Sequence, residues 1–208
     1  MAVYTDIRHN YIPPVATTSS QVGKGALVHI KTLTASSSAN LSFVDGSSDV
    51  VLDNTYKTYV FEFITMHPAT KSTFNFNASV DTGSNYNVTK TSTSTSAYNA
   101  ESGGSPNYYY IESGDLAEAT TVKQIAGDCS VQADHGMGGC LWLFNPSGTT
   151  YAKHFMSDTQ RMDYSGQGYT NRWLCAGYFN TTSAVDAIQF SFGSGNIDAG
   201  TIKMYGIA

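Results

Sequence analysis

The 208-residue chain reads as all-β, an antiparallel sandwich or barrel with an extended N-terminal arm, and two observations carry that reading. Apolar residues recur at every second position in many short segments, which is the period of a half-buried strand. Clusters of Gly, Ser, Asn, Asp and Pro separate these segments, with no sustained helical period between them. Charged residues form only 13% of the chain, against roughly 25% in ordinary soluble domains, so its surface is neutral and polar or covered by partners.

Taken in order, residues 1–25 carry Pro13-Pro14, a polar Thr17–Ser20 stretch and Gly23-Lys24-Gly25 with no period, and so read as an anchor arm. Tyr4, Ile7, Tyr11, Ile12, Pro13 and Pro14 are its candidate anchoring residues. Residues 26–208 form the sandwich. Its clearest strand sets Phe74, Phe76, Ala78 and Val80 on one face against Asn75, Asn77 and Ser79 on the other. In Lys57–Thr65, Tyr59, Phe61 and Phe63 oppose Val60, Glu62 and Ile64, so both faces are apolar except at Glu62. Such a strand belongs mid-sandwich or at a subunit contact. Further strands are expected at 26–34, 39–44, 139–144, 149–156, 172–179, 184–192 and 201–205. Thr89–Ala97, low in complexity, reads as a polar loop, and Ser113–Ala119 as at most one helical turn, because Leu116 stands where a capping box needs Glu or Gln. Ile188, Phe190 and Phe192, a Gly193–Asn196 turn, then Ile202 and Met204 predict a closing hairpin.

Composition also excludes function classes. A net charge of −5 and a pI near 5.4 argue against nucleic acid as a partner, since phosphate neutralisation needs a basic face. No apolar run reaches the ~18 residues of a membrane span, and the N-terminus lacks a secretory pattern, so no membrane insertion is expected. Cys129, Cys140 and Cys175 cannot all pair and read as free thiols of a protein folded in a reducing cytoplasm. Asp128, Cys129, Asp134, His135 and Cys140 lie close in sequence but lack zinc-ligand spacing and the parts of a thiol triad. The loops at Asp45–Asp49 and Asp81–Asn85 lack the calcium-loop pattern and read as turns. No catalytic residue, metal or cofactor is therefore nominated, and the sequons at Asn40, Asn77, Asn87 and Asn180 receive no role.

Aromatic residues offer one binding chemistry. Tyr108, Tyr109, Tyr110 and Trp173 are candidate contacts for a host surface glycan, because aromatic faces pack on pyranose C–H groups. Core packing competes for the same rings.

Three stretches go beyond class: Tyr59–Thr70, Leu143–Met156, and Ala176–Ile207 with its closing Gly195-Asn196-Ile197, Gly200, Ile202-Lys203 and Tyr205-Gly206-Ile207. Over about residues 27–207 the chain resembles a family of small virion structural proteins of tailed bacteriophages, especially those of marine bacteria and cyanobacteria. The resemblance does not extend to the arm, and Cys129–Gly139 departs from it. It implies a jelly-roll sandwich on the virion exterior with no catalytic residues. The expected function is a non-enzymatic capsid decoration, cement or head-fibre subunit, assembled in the host cytoplasm and bound to the major capsid protein. A tail-fibre tip or glycan-binding adhesin held by tail proteins is the alternative, and a carbohydrate-active enzyme a further one. Strands apolar on both faces predict a homotrimer packed through the sandwich sides.

Overall fold

The protein, represented by a computed structural model, is described over residues 27–104, 106–164 and 168–208. The arm expected at 1–25, with Tyr4, Ile7, Tyr11, Ile12, Pro13 and Pro14, lies outside the described residues. The strands are β1 (Leu27–Thr34), β2 (Leu41–Val44), β3 (Thr58–Pro68), β4 (Ser72–Ser79), β5 (Lys90–Ala100), β6 (Asn107–Tyr110) and β7 (Leu116–Ala119). They continue as β8 (Lys123–Cys129), β9 (Met137–Phe144), β10 (Lys153–Tyr164), β11 (Gly168–Phe179), β12 (Ala187–Phe192) and β13 (Ile197–Ile207). All pairings are antiparallel. A nine-stranded sheet runs β1-β13-β3-β9-β10-β11-β5-β6, with β7 also on β5, and a four-stranded sheet runs β2-β12-β4-β8. The chain is thus a β-sandwich of two unequal layers.

Alternation builds the core. In β3 every second residue, Tyr59, Phe61 and Phe63, is fully buried and faces the small sheet. A register shift between Phe63 and Met66 then turns Met66 inward as well. Phe74 and Phe76 of β4 and Phe190 of β12 close from the other layer. The Phe190 ring lies 5.4 Å from Phe61, 5.1 Å from Phe63 and 6.0 Å from Phe74, and it joins both sheets. Each such ring contributes roughly 1.5–3 kcal/mol by burial, plus about 0.5–1.5 kcal/mol per favourable aromatic pair.

Three expectations are corrected. β12 and β13 do not form a hairpin: β12 pairs with β2 and β4, whereas β13 pairs with β1 and β3. Alternation reports that a face is buried, but not from which side of the core, and these strands face it from opposite sides. The connection crosses between layers, with Gly193 N donating to Thr73 O at 2.9 Å and Gly195 at φ +70°. Thr89–Ala97 is not a loop, because Lys90–Ala100 forms β5 between β11 and the edge strands. Hydroxyl residues carry no hydrophobic period, yet Thr suits a strand, and Ser94 and Ser96 leave room beside Cys175 and Trp173 on β11. The helical turn at 113–119 shrinks to a 3₁₀ turn at Glu112–Gly114 without a side-chain cap, and Leu116–Ala119 pairs with β5.

The polar face of β4 is also roofed. Asn77 is only 4% exposed, and its Nδ2 donates to Tyr86 O at 2.5 Å and Thr120 O at 3.0 Å. Val80, expected on the apolar face, lies beyond the strand and is exposed.

Candidate functional site

The tyrosine tract forms β6, which among the described residues pairs only with β5 at the edge of the sheet. Alternation splits the tract. Tyr109 lies opposite Ser96 on the face turned toward the small sheet, and Tyr108 and Tyr110 lie on the outer face. Tyr108 and Tyr110 are 64% and 58% exposed. The structure does not bring Trp173 to them as a surface group, which corrects its assignment as a glycan contact. Trp173 is 5% exposed and packed under Gly114, where a β-carbon would come within 3.0 Å of its Cζ2. It is a core residue, because β11 turns it inward beneath the 3₁₀ turn.

What lies beside Tyr109 was not legible in sequence. The large sheet is wider than the small one, whose edge strand β8 packs on β10 and β11. Beyond β8 the inner face forms a cleft of about 250 Å³, lined by Tyr98, Tyr109, Arg161, Asp163, Tyr169 and Asn171. The Tyr98 ring lies 6.0 Å from Tyr109 and 6.1 Å from Tyr169, near perpendicular to both. Register carries Tyr98 to Asn171 and Asn171 to Arg161, which puts a polar rung next to the rings. Arg161 is buried against Gly127, where a β-carbon would meet its Nη2 at 2.7 Å. Its Nη1 donates to Asp128 O and pairs with Asp163 Oδ2 at 3.1 Å, while Lys71 Nζ holds Asp163 Oδ1 at 2.9 Å. Burial pushes the Asp163 carboxyl upward, but the Lys71 hydrogen bond and the Arg161 charge outweigh it and hold the group below its usual range.

Next to this open end lies a closed polar one. Lys90 Nζ donates to Val88 O at 2.9 Å and Thr121 O at 2.8 Å. Lys123 Nζ donates to Ser94 Oγ at 2.6 Å and Gly114 O at 2.5 Å. Both lysines are fully buried, and together they tie the 111–122 segment across the inner face of β5. Burial lowers Lys90 from its usual 10.5 to about 8, and it lowers Lys123 too, partly offset by Cys175 and Asp115. Ser94, Lys123 and Cys175 resemble a nucleophile with its base, but all three are sealed in the core.

The Asp128–Cys140 sequence cluster is dispersed. Cys129 is buried in the small sheet and pushed up to about 12 by desolvation, whereas Cys140 lies beside Glu62 and Asp158 on the large sheet. All three cysteines are free, as expected. Asp45 and Asp81 serve turns: Asp45 Oδ1 accepts from Leu52 N at 2.8 Å, and Asp81 accepts from Ser79 Oγ and Asn85 Nδ2, both at 2.6 Å.

On the outer face of the large sheet, Tyr205, Val60, Trp142, Met156 and Ala176 form one continuous cross-strand row. Phe144 and Tyr178 flank it on one side and Leu174 on the other, with Met156 52% exposed. Asp158–Arg172 and Glu62–Lys203 set opposite charges along its border.

Fold and site together define a two-layer antiparallel β-sandwich with an outward apolar band and an aromatic-polar cleft. Comparison of the chain with protein-family models, curated proteins and solved structures finds no match.

Proposed function

We propose that the chain is a non-enzymatic structural protein on the exterior of a tailed-bacteriophage virion, a capsid decoration, cement or head-fibre subunit. In this reading a jelly-roll-type sandwich assembles as a homotrimer, and residues 1–25 dock it on the major capsid protein. The observation that carries it is the outward apolar row from Tyr205 to Ala176, which the described residues leave partly open, with Met156 52% exposed and Val60 6%. Its occupant is a second copy of this chain, because charges of both signs border the row and each copy offers the other a complementary rim. The resemblance of three segments to virion proteins and the low charge support the same reading.

A second reading, a tail-fibre tip or adhesin, is favoured by the exposed tyrosines of β6. Electron microscopy of virions labelled with an antibody against the sandwich separates the two. Label spread over heads is the expected result, and label confined to tails transfers the protein to the second reading. Unlabelled particles overturn both.

A further inference from the structure

We propose that the cleft at the free end of the large sheet binds a neutral pyranose, stacked on its tyrosine rings and held through its hydroxyl groups by Asp163 and Asn171. The proposal holds for a protein on the head or on the tail, so its failure leaves the virion reading untouched. Three features argue for it.

The rings are the first. Tyr98, Tyr109 and Tyr169 meet at interplanar angles near 70°, so they form a corner rather than a flat stack. A pyranose presents apolar C–H groups on its faces and hydroxyls around its rim, and a corner of phenol rings matches the faces while its hydroxyls match the rim. The second feature is unused hydrogen-bonding capacity aimed at one place. Each Asp163 oxygen accepts from one cation, Lys71 at 2.9 Å or Arg161 at 3.1 Å, and keeps a lone pair for a hydroxyl donor. Asn171 Oδ1 accepts from Ser96 Oγ at 3.0 Å, which leaves its Nδ2, unpartnered among the described residues, to donate to a hydroxyl oxygen. Adjacent hydroxyls on one ring are spaced for such an acceptor and donor side by side.

Size and rigidity are the third. About 250 Å³ lies below the roughly 300–1,000 Å³ of pockets for drug-sized ligands and suits a single ring. The polar groups sit on paired strands, and Arg161 is locked between Gly127 and Asp128 O, so the carboxylate is oriented before a ligand arrives. The one cation and one anion of the lining, Arg161 and Asp163, are paired with each other, so the cleft offers no net charge to draw an acidic sugar. A glycosidase commonly uses two carboxyl groups, and the lining supplies one, so the chemistry is binding.

Saturation-transfer NMR on the full chain tests this with methyl glucoside, methyl galactoside, methyl mannoside and N-acetylglucosamine, and with glucuronate as the acidic probe. Transfer to ring C–H protons of at least one neutral sugar is expected, with little to glucuronate. Tyr109→Ala and Tyr169→Ala each weaken binding about tenfold, whereas Tyr109→Phe keeps it. Tyr151→Ala, at a side chain 75% exposed just ahead of β10, at its end away from the cleft, leaves it unchanged. Thermal unfolding establishes that each variant is folded, and the partly exposed Tyr109 keeps the test decisive if Tyr169→Ala does not fold. No transfer to any neutral sugar, preference for glucuronate, or binding indifferent to the Tyr109 and Tyr169 rings overturns the proposal.

Discussion

The two ends of the large sheet bury their inner faces by different means. Under β13, β3 and β9 the contacts are hydrocarbon and aromatic, gathered on Phe190 from the facing layer. Under β10, β11 and β5 the buried groups include Lys90, Lys123, Ser94, Ser96, Asn171 and Arg161, held by hydrogen bonds to loop carbonyls and to one another. The aromatic end makes few directional demands beyond shape, one being the buried Tyr59 hydroxyl that donates to Asp53 O at 2.9 Å. The polar end makes directional demands, not all of them met among the described residues: Arg161 Nε and Trp173 Nε1 are buried without a hydrogen-bond partner, and Asp163 and Asn171 keep capacity toward the cleft.

The largest effect that would break this contrast is at the aromatic end. Phe190→Ala is expected to cost about 3–5 kcal/mol in denaturant unfolding, because the ring packs on both sheets and the void cannot collapse. A loss below about 1 kcal/mol would mean that Phe190 does not join the layers.

At the polar end the expected signature is a pH slope. The folded Lys90 pKa, about 8, lies below the ordinary 10.5, so between these values the unfolded chain holds a proton that the folded chain has released. Stability of the native protein relative to Lys90→Met should therefore rise from pH 8 to 10.5, by about 3 kcal/mol in all, and be flat below pH 8. Parallel pH profiles for the two proteins would show Lys90 to be solvated.

Gly127→Ala sharpens the boundary between buried network and cleft. Its methyl displaces the Arg161 guanidinium and should cost about 1–3 kcal/mol, with the Arg161–Asp163 pair broken. An unchanged melting temperature would place Arg161 elsewhere. The smallest effect belongs to the Asp81 turn. Hydrogen bonds from Ser79 and Asn85 hold its carboxyl at about 2, so its contribution is complete above the ordinary 3.8 and fades as pH falls toward 2. Acid titration of Asp81→Asn should show a shallower loss of stability than the native chain. Identical acid limbs would mean that the turn does not use the charge.

The same contrast explains what was legible in the sequence. Tyr59, Phe61 and Phe63, and likewise Phe74 and Phe76, announce buried faces because apolar alternation is the signal of burial itself. β5 carries none of that signal, since its inward residues are Lys90, Ser92, Ser94, Ser96 and Tyr98, and its Ser/Thr run reads as a loop. The tyrosine tract was visible as chemistry, but which ring points inward depends on register with β5, and Tyr98, Tyr169, Arg161, Asp163 and Asn171 converge only through pairing of strands far apart in sequence. Trp173 shows the converse, an aromatic residue whose type suggested a surface role and whose inward position makes it core.

The proposed contact between copies is the outer face of the large sheet. Light scattering of the purified full chain at micromolar concentration, with Met156→Asp beside it, addresses that directly. The expected result is a particle of three times the 22.3 kDa chain mass that dissociates when Met156 becomes charged. A native chain that runs as a monomer, or a trimer indifferent to Met156→Asp, would contradict it.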